Sequence, residues 1–401
     1  MKSEMKRIYG ITVLSALMVI GIMFTIHYIT HGKTYLKTIK VGFIYVGDAS
    51  NGYTNNFEKA QEAIEKEYGV QVETIAKYNV TEENVEGALK ELVEEECDLI
   101  FTTSYGYGEK TKEYAGRYPD IQFCQATCDN ANTKPYYSNY HTFMGSIYQG
   151  RYISGVVAGM KLKELIDSGK ITAEQAKVGY VGAFSCAEVI SGYTAFILGV
   201  RSVVPEATMV VKYTNSWGNY HLEKETANEL IDEGCVIISQ HSDTAGPAVA
   251  CEENSGRKTV YYVSYNESMR DIAPTTYLTG SKINWTPYML EAVEAVLLDK
   301  NIDKHVKGNQ NGNDVGAGFE QDWVKMLELN EFIVAHGTKE RVETLISDFK
   351  NDKIQVFKGN YSGYDPLNPN DVISLRNGYE ENKNSSAPSF HYILKDVVMI
   401  E

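Results

Sequence analysis

Short apolar runs rich in β-branched residues alternate with helical stretches over most of this chain, and few architectures accept that alternation. KTIKVGFIYV reads as a strand. TNNFEKAQEAIEKEYG reads as a helix, with Phe57, Ala60 and Ile64 on one face and Gly69 at its end. VQVETIAKY (strand), VTEENVEGALKELVEEE (acidic helix), CDLIFTTS (strand), GEKTKEYAGRYP (helix) and IQFCQAT (strand) follow. A helix between two strands returns the chain to the same edge, so such units build a parallel sheet with helices on both faces. The series restarts with the long helix YQGRYISGVVAGMKLKELIDSG and runs on through the strands AKVGYVGAF, TMVVKYTNS, CVIISQHS and TVYYVSY. The expected fold is α/β, with two doubly wound parallel-sheet lobes joined by crossover strands. Lobe 1 is expected over residues 38–150 with 275–330 returning to it, and lobe 2 over residues 151–274 with part of 331–401. No Pro/Ser linker separates the halves, so the crossovers should be short. Beyond Asn301, KGNQNGNDVGAGFE reads as a loop or edge hairpin, and the C-terminal stretch as a polar loop followed by one last strand.

Ahead of this region the chain carries a basic tip, MKSEMKR, and then an uncharged apolar run from Ile8 to Ile26. As a helix that run reaches roughly 28 Å, close to the thickness of a hydrocarbon core. Residues 1–33 are therefore read as a cytoplasmic tip and an N-terminal transmembrane helix, with everything after His31 outside the cytoplasm. A cleaved signal peptide is the rival reading, but the apolar region is long for one and no clear small-x-small site follows. The segment holds no cysteine for lipid attachment. The net charge of -15 argues against nucleic acid and against broad docking on an anionic membrane surface. The cysteines, Cys97, Cys124, Cys128, Cys186, Cys235 and Cys251, are spread out and several stand at strand entrances, which favours buried free thiols. No Cys/His pattern has zinc spacing, and there is no P-loop and no GxSxG elbow. Neither a metal nor a cofactor is expected, nor is catalysis. Ser, His and Asp in QHSDT are neighbours on one loop, which does not make a nucleophile–base–orienter array.

In an open parallel sheet, ligands bind beyond the carboxyl ends of the strands. The residues that follow the strands are Asp48, Asn51 and Tyr53; Ser104, Tyr105 and Tyr107; Ser185 and Glu188; Asn215, Ser216 and Trp217; His241 to Thr244; Asn266 and Glu267; Asn284 and Trp285. Singly, each has an ordinary explanation: a cap or turn for Asp48 and Ser185, core packing for Trp285. Together, aromatic and hydrogen-bonding side chains at successive strand ends suit a flat polar ring. Tyr53, Tyr105, Trp217 and Trp285 could stack on it, while Asp48, Ser104, Glu188, Asp243 and Asn266 read its edge. The opening stretch GDASNGYTNN fits this picture: its glycines let backbone approach closely, Asp48 and Asn51 cap the next helix, and Tyr53 faces the ligand.

The chain resembles the basic membrane protein (BMP) family of ABC-transporter solute-binding proteins, which have the type I periplasmic-binding-protein fold. The resemblance rests on KVGFIYVGDASNGYT, LIFTTSYGYGEKT, YQGRYISGVVAGM, AEVISGYTAFILGVRSVVP, NSW, QHSDT and NWTPYMLEAVEAVL, which lie between Lys40 and Leu298, and on VFKGNY near Lys358. It is most similar to members that bind purine bases or nucleosides. The resemblance implies capture of such a ligand between two closing lobes and delivery to an ABC permease. It also implies contacts from Tyr53, Ser104, Tyr105, Glu188, Trp217, Asp243, Asn266 and Trp285. Two departures stand out. Asn266 replaces an acidic residue that holds ribose hydroxyls, which favours free base over nucleoside, and Lys282 lies near the family's lysine. An apolar segment stands where the family has a lipid-anchor cysteine. A ligand-sensing ectodomain of a signalling system is the alternative, and a nucleoside hydrolase a remoter one, since Asp48 alone makes no metal cluster.

Overall fold

The computed structural model describes Met18 and residues 37–401. The anchor expected over Ile8–Ile26 falls, but for Met18, outside the described residues; among these, no helix is long and apolar enough to cross a membrane. The unit described below is Ile39–Glu401.

Its first part alternates β1 (Ile39–Ile44), α1 (Gly52–Tyr68), β2 (Val72–Lys77), α2 (Val85–Glu94), β3 (Leu99–Thr102), α3 (Gly108–Arg117), β4 (Gln122–Ala126) and β5 (Tyr140–Gly145). The series restarts at α4 (Tyr148–Asp167). It proceeds through β6 (Lys177–Gly182), α5 (Ala187–Arg201), β7 (Thr208–Tyr213), α6 (Tyr220–Asp232), β8 (Ile237–His241), α7 (Gly246–Asn254), β9 (Tyr261–Tyr265) and β10 (Tyr277–Ile283). Next come α8 (Thr286–Leu297), the short α9 (Ile302–His305), β11 (Asn309–Asn311), β12 (Asp314–Ala317), β13 (Val324–Met326) and α10 (Thr338–Lys350). The chain ends in β14 (Ser362–Tyr364), β15 (Val372–Ser374), β16 (Ile393–Leu394) and β17 (Val398–Ile400).

Two seven-stranded sheets result, ordered β11-β12-β5-β4-β3-β1-β2 and β13-β10-β9-β8-β6-β7-β17, with a small third sheet, β15-β14-β16. Within the two large sheets only the β11–β12 and β10–β13 pairs are antiparallel. Parallel strands are covered on both faces and so read as unbroken apolar runs. Every residue of β3, LIFT, is buried, and β1 is buried but for the half-exposed Lys40. Helix α1 starts where the Asn51 side chain accepts from Thr54 N at 3.0 Å, and stops at Gly69, whose φ of 52° an L residue adopts only with strain. In the second part α4 crosses α5 at backbone distance: a Cβ on Gly155 would lie 2.0 Å from Phe196 O. All six cysteines are free, and only Cys186 is not fully buried.

The chain changes large sheet three times: between β5 and α4, between β10 and α8, and between β12 and β13. Segment 275–330, read from the sequence as returning to the first lobe, serves both sheets. Its β10 and β13 belong to the second, and its β11 and β12 to the first, while α8 packs on α1.

Candidate ligand-binding site

A cavity of about 430 Å³ lies where the carboxyl ends of the two large sheets face each other. The first sheet contributes Asn51 and Tyr53 beyond β1, Thr81 and Glu82 beyond β2, Ser104 and Tyr105 beyond β3, and Thr127 beyond β4. The second contributes Phe184 and Glu188 beyond β6, Trp217 beyond β7, Asp243 beyond β8, and Tyr265 and Asn266 at the end of β9. Parallel strands all point their carboxyl ends the same way, so one rule delivers loops from eight strands to one cleft.

The two sides also touch beside the cavity. Asn55 Nδ2 donates to Glu267 Oε1 at 3.2 Å, and Asn56 Nδ2 to Asn266 O at 2.9 Å. Gly52 packs so closely on Glu267 that a Cβ there would stand 2.9 Å from the glutamate's own Cβ. Tyr53, in the first turn of α1, donates its hydroxyl to Thr103 O at 2.5 Å and meets Phe57 edge-on at 5.2 Å. On the opposite side Trp217 meets Phe184 at 5.5 Å and 60°. Asp243 N donates to Trp217 O at 2.8 Å, which ties the β7 and β8 loops together. Below them Arg151 is fully buried, bonded to Tyr180 Oη, Ser239 Oγ and Gln240 O, with its guanidinium 5.0 Å from the Tyr265 ring. That cation holds Tyr265 from behind and packs against the rings of Tyr180 and Phe196 as well.

The polar edge of the cavity is acidic. Burial pushes the Asp243 carboxyl up to about 8, helped by the nearby charges of Glu223 and Glu188, while the Asn51 and Asn266 side chains beside it act the other way. At neutral pH most of this group is therefore a carboxylic acid, able to donate one hydrogen bond and accept another. Glu223, fully buried, accepts from Ser242 Oγ at 2.7 Å, Asn219 N at 3.0 Å and Thr244 N at 3.2 Å, and burial raises it too. Burial lowers His241, whose Nε2 lies 3.4 Å from Glu188 Oε1. Asn266 holds a φ of 63°, and its side chain stands beside the Asp243 carboxyl.

Of the residues singled out from the sequence, Tyr53, Ser104, Tyr105, Glu188, Trp217, Asp243 and Asn266 line the cavity. Asp48 does not: its carboxylate accepts from Ser50 N, Ser50 Oγ and Asn79 Nδ2 and so shapes the β1–α1 turn, while Asn51 alone caps the helix. Trp285 does not either. It is 2% exposed, stacked on Phe57 at 4.4 Å and 13°, and edge-on to Phe143 and Tyr53. It backs the ring wall without belonging to it. Lys282 stands behind the wall as well, donating to Asn56 Oδ1 at 3.2 Å. Thr81, Glu82, Thr127, Phe184 and Tyr265 were not singled out. Glu82 accepts from Ser104 Oγ at 2.9 Å and from Gly106 N at 3.1 Å, and so ties two first-sheet loops together. Reading the ends of β2 and β4 as well as the others would have found three of the five. Among the described residues, Asp365, Asp371 and His391 bring ligand-capable atoms within 4.8 Å of one another, but none of them lines the cavity.

Residues 38–358 match the family described as ABC transporter substrate-binding protein, PnrA-like, which leaves residues 359–401 outside the match. A purine-binding protein of Brucella abortus is 30% identical over 325 residues, covering 80% of this chain and 84% of that protein. A Haloferax volcanii protein, whose name calls it a glucose-binding protein of an ABC transporter, is 29% identical over 329 residues, covering 82% and 76%. Among solved structures, an ABC transporter solute-binding protein from Conexibacter woesei superposes with a TM-score of 0.61 at 16% identity, covering 79% of this chain and 98% of that one.

Proposed function

Because the chain belongs to the PnrA-like family of ABC transporter substrate-binding proteins, we propose that it captures a purine base or nucleoside outside the cytoplasm and presents it to a permease. The family is one of substrate-binding proteins and not of enzymes, so the hydrolase alternative is set aside. The observation that carries the purine reading is the make-up of the cavity walls. Tyr53 and Tyr105 from one sheet and Phe184 and Trp217 from the other leave a space in which a planar ring meets aromatic surface. Asp243 and the Asn266 side chain beside it offer a donor–acceptor set at its edge. Stacking on aromatic side chains is worth about 1–3 kcal/mol per base. The name of the Brucella relative supports the same ligand class.

The mechanism is capture without chemistry. Two lobes, each built on one large sheet, part to admit the ring, then close until the contacts of both sides are made, which shifts the population to the closed form. The three sheet-changing crossings are the hinge. The apolar run Ile8–Ile26 tethers the protein to the membrane. The Haloferax relative favours a second reading, a sugar, since hexoses also lie on aromatic faces and hydrogen-bond to carboxylates.

Calorimetric titration with adenine, guanine, hypoxanthine, their nucleosides and glucose tests both readings. The purine reading expects saturable binding of at least one purine and none of glucose. Binding of glucose alone would replace it with the sugar reading, and binding of none would remove both.

A further inference from the structure

Residues 359–401, which lie beyond the family match, are rooted in the second half of the fold. There β17 pairs with β7 at the edge of the second large sheet, β16 packs on α5, and Arg201 Nε of α5 donates to Tyr361 Oη at 3.3 Å. One loop of this region, residues 381–390, leaves that half and reaches the first. At its base Glu381 accepts from Ser191 Oγ of α5 at 3.0 Å, and from Ser389 Oγ at 2.9 Å and Phe390 N at 3.1 Å, which closes the loop on itself. At its tip Ser386 donates its N–H to Asp314 Oδ2 at 2.5 Å and its hydroxyl to Asp314 Oδ1 at 2.6 Å, and Asn311 Nδ2 donates to Asn384 O. Asp314 and Asn311 belong to β12 and β11 of the first large sheet. Inside the loop Asn382 Nδ2 donates to Ser386 O at 2.7 Å and to Ala387 O at 3.1 Å, so the loop cannot lengthen without breaking its own bonds. Its attachments are sunk at both ends: Asp314, Ser386, Glu381 and Ser191 are all more than nine-tenths buried. Phe390, wholly buried, stacks on Phe357 at 4.6 Å and fixes the base further.

We propose that residues 381–390 are a strap that gates opening: the two halves part widely only when Ser386 leaves Asp314. This rests on the reading above that the halves part to admit a ligand, and it is independent of which ligand enters. The resistance comes from Asp314. Apart from Ser386, its carboxylate accepts from Thr142 Oγ1 at 2.7 Å, so parting removes two of its three hydrogen bonds. A buried carboxylate stripped of donors is costly until water reaches it. A short, stiff loop also passes strain from one end to the other instead of absorbing it. The cavity walls then decide what is bound, while the strap sets how often the cleft is open to exchange it.

The test needs no ligand. Of the three tryptophans, Trp285 and Trp323 are buried in the core and Trp217 lines the cavity. Quenching of tryptophan emission by acrylamide therefore reads how far the cleft exposes Trp217. In the full chain without ligand, Ser386→Ala is expected to raise the quenching constant roughly twofold or more over wild type. Adding Trp217→Phe to that variant is expected to abolish the rise. Ser389→Ala removes a hydroxyl bond of the same kind that stays within the loop, and is expected to leave the constant at its wild-type value. No rise in Ser386→Ala, a rise that survives Trp217→Phe, or an equal rise in Ser389→Ala overturns the strap and leaves the ligand reading standing. Failure of wild type to bind any purine or glucose, with the rise present, removes the ligand reading and supports the strap. Should Ser386→Ala fail to melt cooperatively, Asn311→Ala, at an exposed position, takes its place. The same rise is then expected, and its absence overturns the proposal.

Discussion

Ligand capture should weaken as pH rises, and Asp243 is the reason. In the structure burial, with Glu223 and Glu188 close by, places its carboxyl at about 8, against an ordinary 3.8. When the halves part and water reaches the group, it returns towards the ordinary value, so closing takes up a proton at any pH between the two. A group raised in the closed form favours closing fully below 3.8, and that contribution is lost as pH climbs to about 8. Within the window each pH unit costs closure about 1.4 kcal/mol, or tenfold in affinity. The whole window amounts to something on the order of 5 kcal/mol, an upper figure because a ligand that donates to the carboxylate returns part of it. Titration with whichever purine binds, near neutral pH in buffers of different protonation enthalpy, reads the proton directly. Wild type should take up close to one proton per ligand and Asp243→Asn close to none. Affinity of the wild type should also fall roughly 10- to 100-fold over two pH units below 8, while that of Asp243→Asn stays nearly level. Equal proton uptake by the two proteins, or a wild-type affinity indifferent to pH, refutes the argument.

The remaining predictions separate support from contact. Trp285→Ala removes a ring stacked in the core and should cost about 3–5 kcal/mol of stability, seen as a fall of several degrees in melting temperature. Trp217→Ala, at the half-buried cavity wall, should barely move the melting temperature but weaken ligand binding by about 1–3 kcal/mol, read by titration. Gly155→Ala should push α4 and α5 apart, because its methyl would lie 2.0 Å from Phe196 O; a loss of more than about 2 kcal/mol in denaturant unfolding is expected, whereas Gly87→Ala, with nothing within 4 Å, should be neutral or stabilising. Ser386→Ala strips a buried bond from Asp314, and limited proteolysis should then cut the C-terminal segment several-fold faster, with the body of the protein left intact.

Much of the fold was legible because parallel sheets write themselves locally. A strand covered on both faces must be apolar at every position, and LIFT or VGFI can hardly be anything else. The site was legible to the degree that its residues follow such strands directly: Ser104, Tyr105, Asp243 and Asn266 come within three residues of strand ends. Thr81 and Thr127 obey the same geometry, but a threonine does not announce a ligand. Trp285 and Tyr53 looked alike in sequence, each an aromatic at the start of the helix after a strand, and only the packing of Phe57 between helix and sheet decides which ring faces the cavity. Helix α10 and the third sheet were not read at all. One partner of β14 is distant in sequence, with Gly363 opposite Leu394, and each strand is too short to show a period.

The crossings explain why segment 275–330 resisted assignment to one half. Where the chain changes sheets, its three passages lie side by side: Ser146 N bonds Ala317 O at 2.8 Å, and Asn284 N bonds Trp323 O at 2.7 Å. A Cβ on Gly145 would sit 2.8 Å from Ile283 Cγ2 and 3.2 Å from Trp323 O, so glycine is what lets the passages touch. Residues in such a place pack against both sheets at once, and no periodicity says which. That ambiguity is the physical condition for a hinge, because a passage bonded mainly to the other passages can turn without tearing either sheet. The C-terminal segment around residues 381–390 bonds to both sides of these passages. Held to Asp314 on one side and to Ser191 on the other, it must strain or let go of a buried hydrogen bond for the cleft to open. How readily this protein opens therefore depends on residues far from the cavity as well as on those that line it.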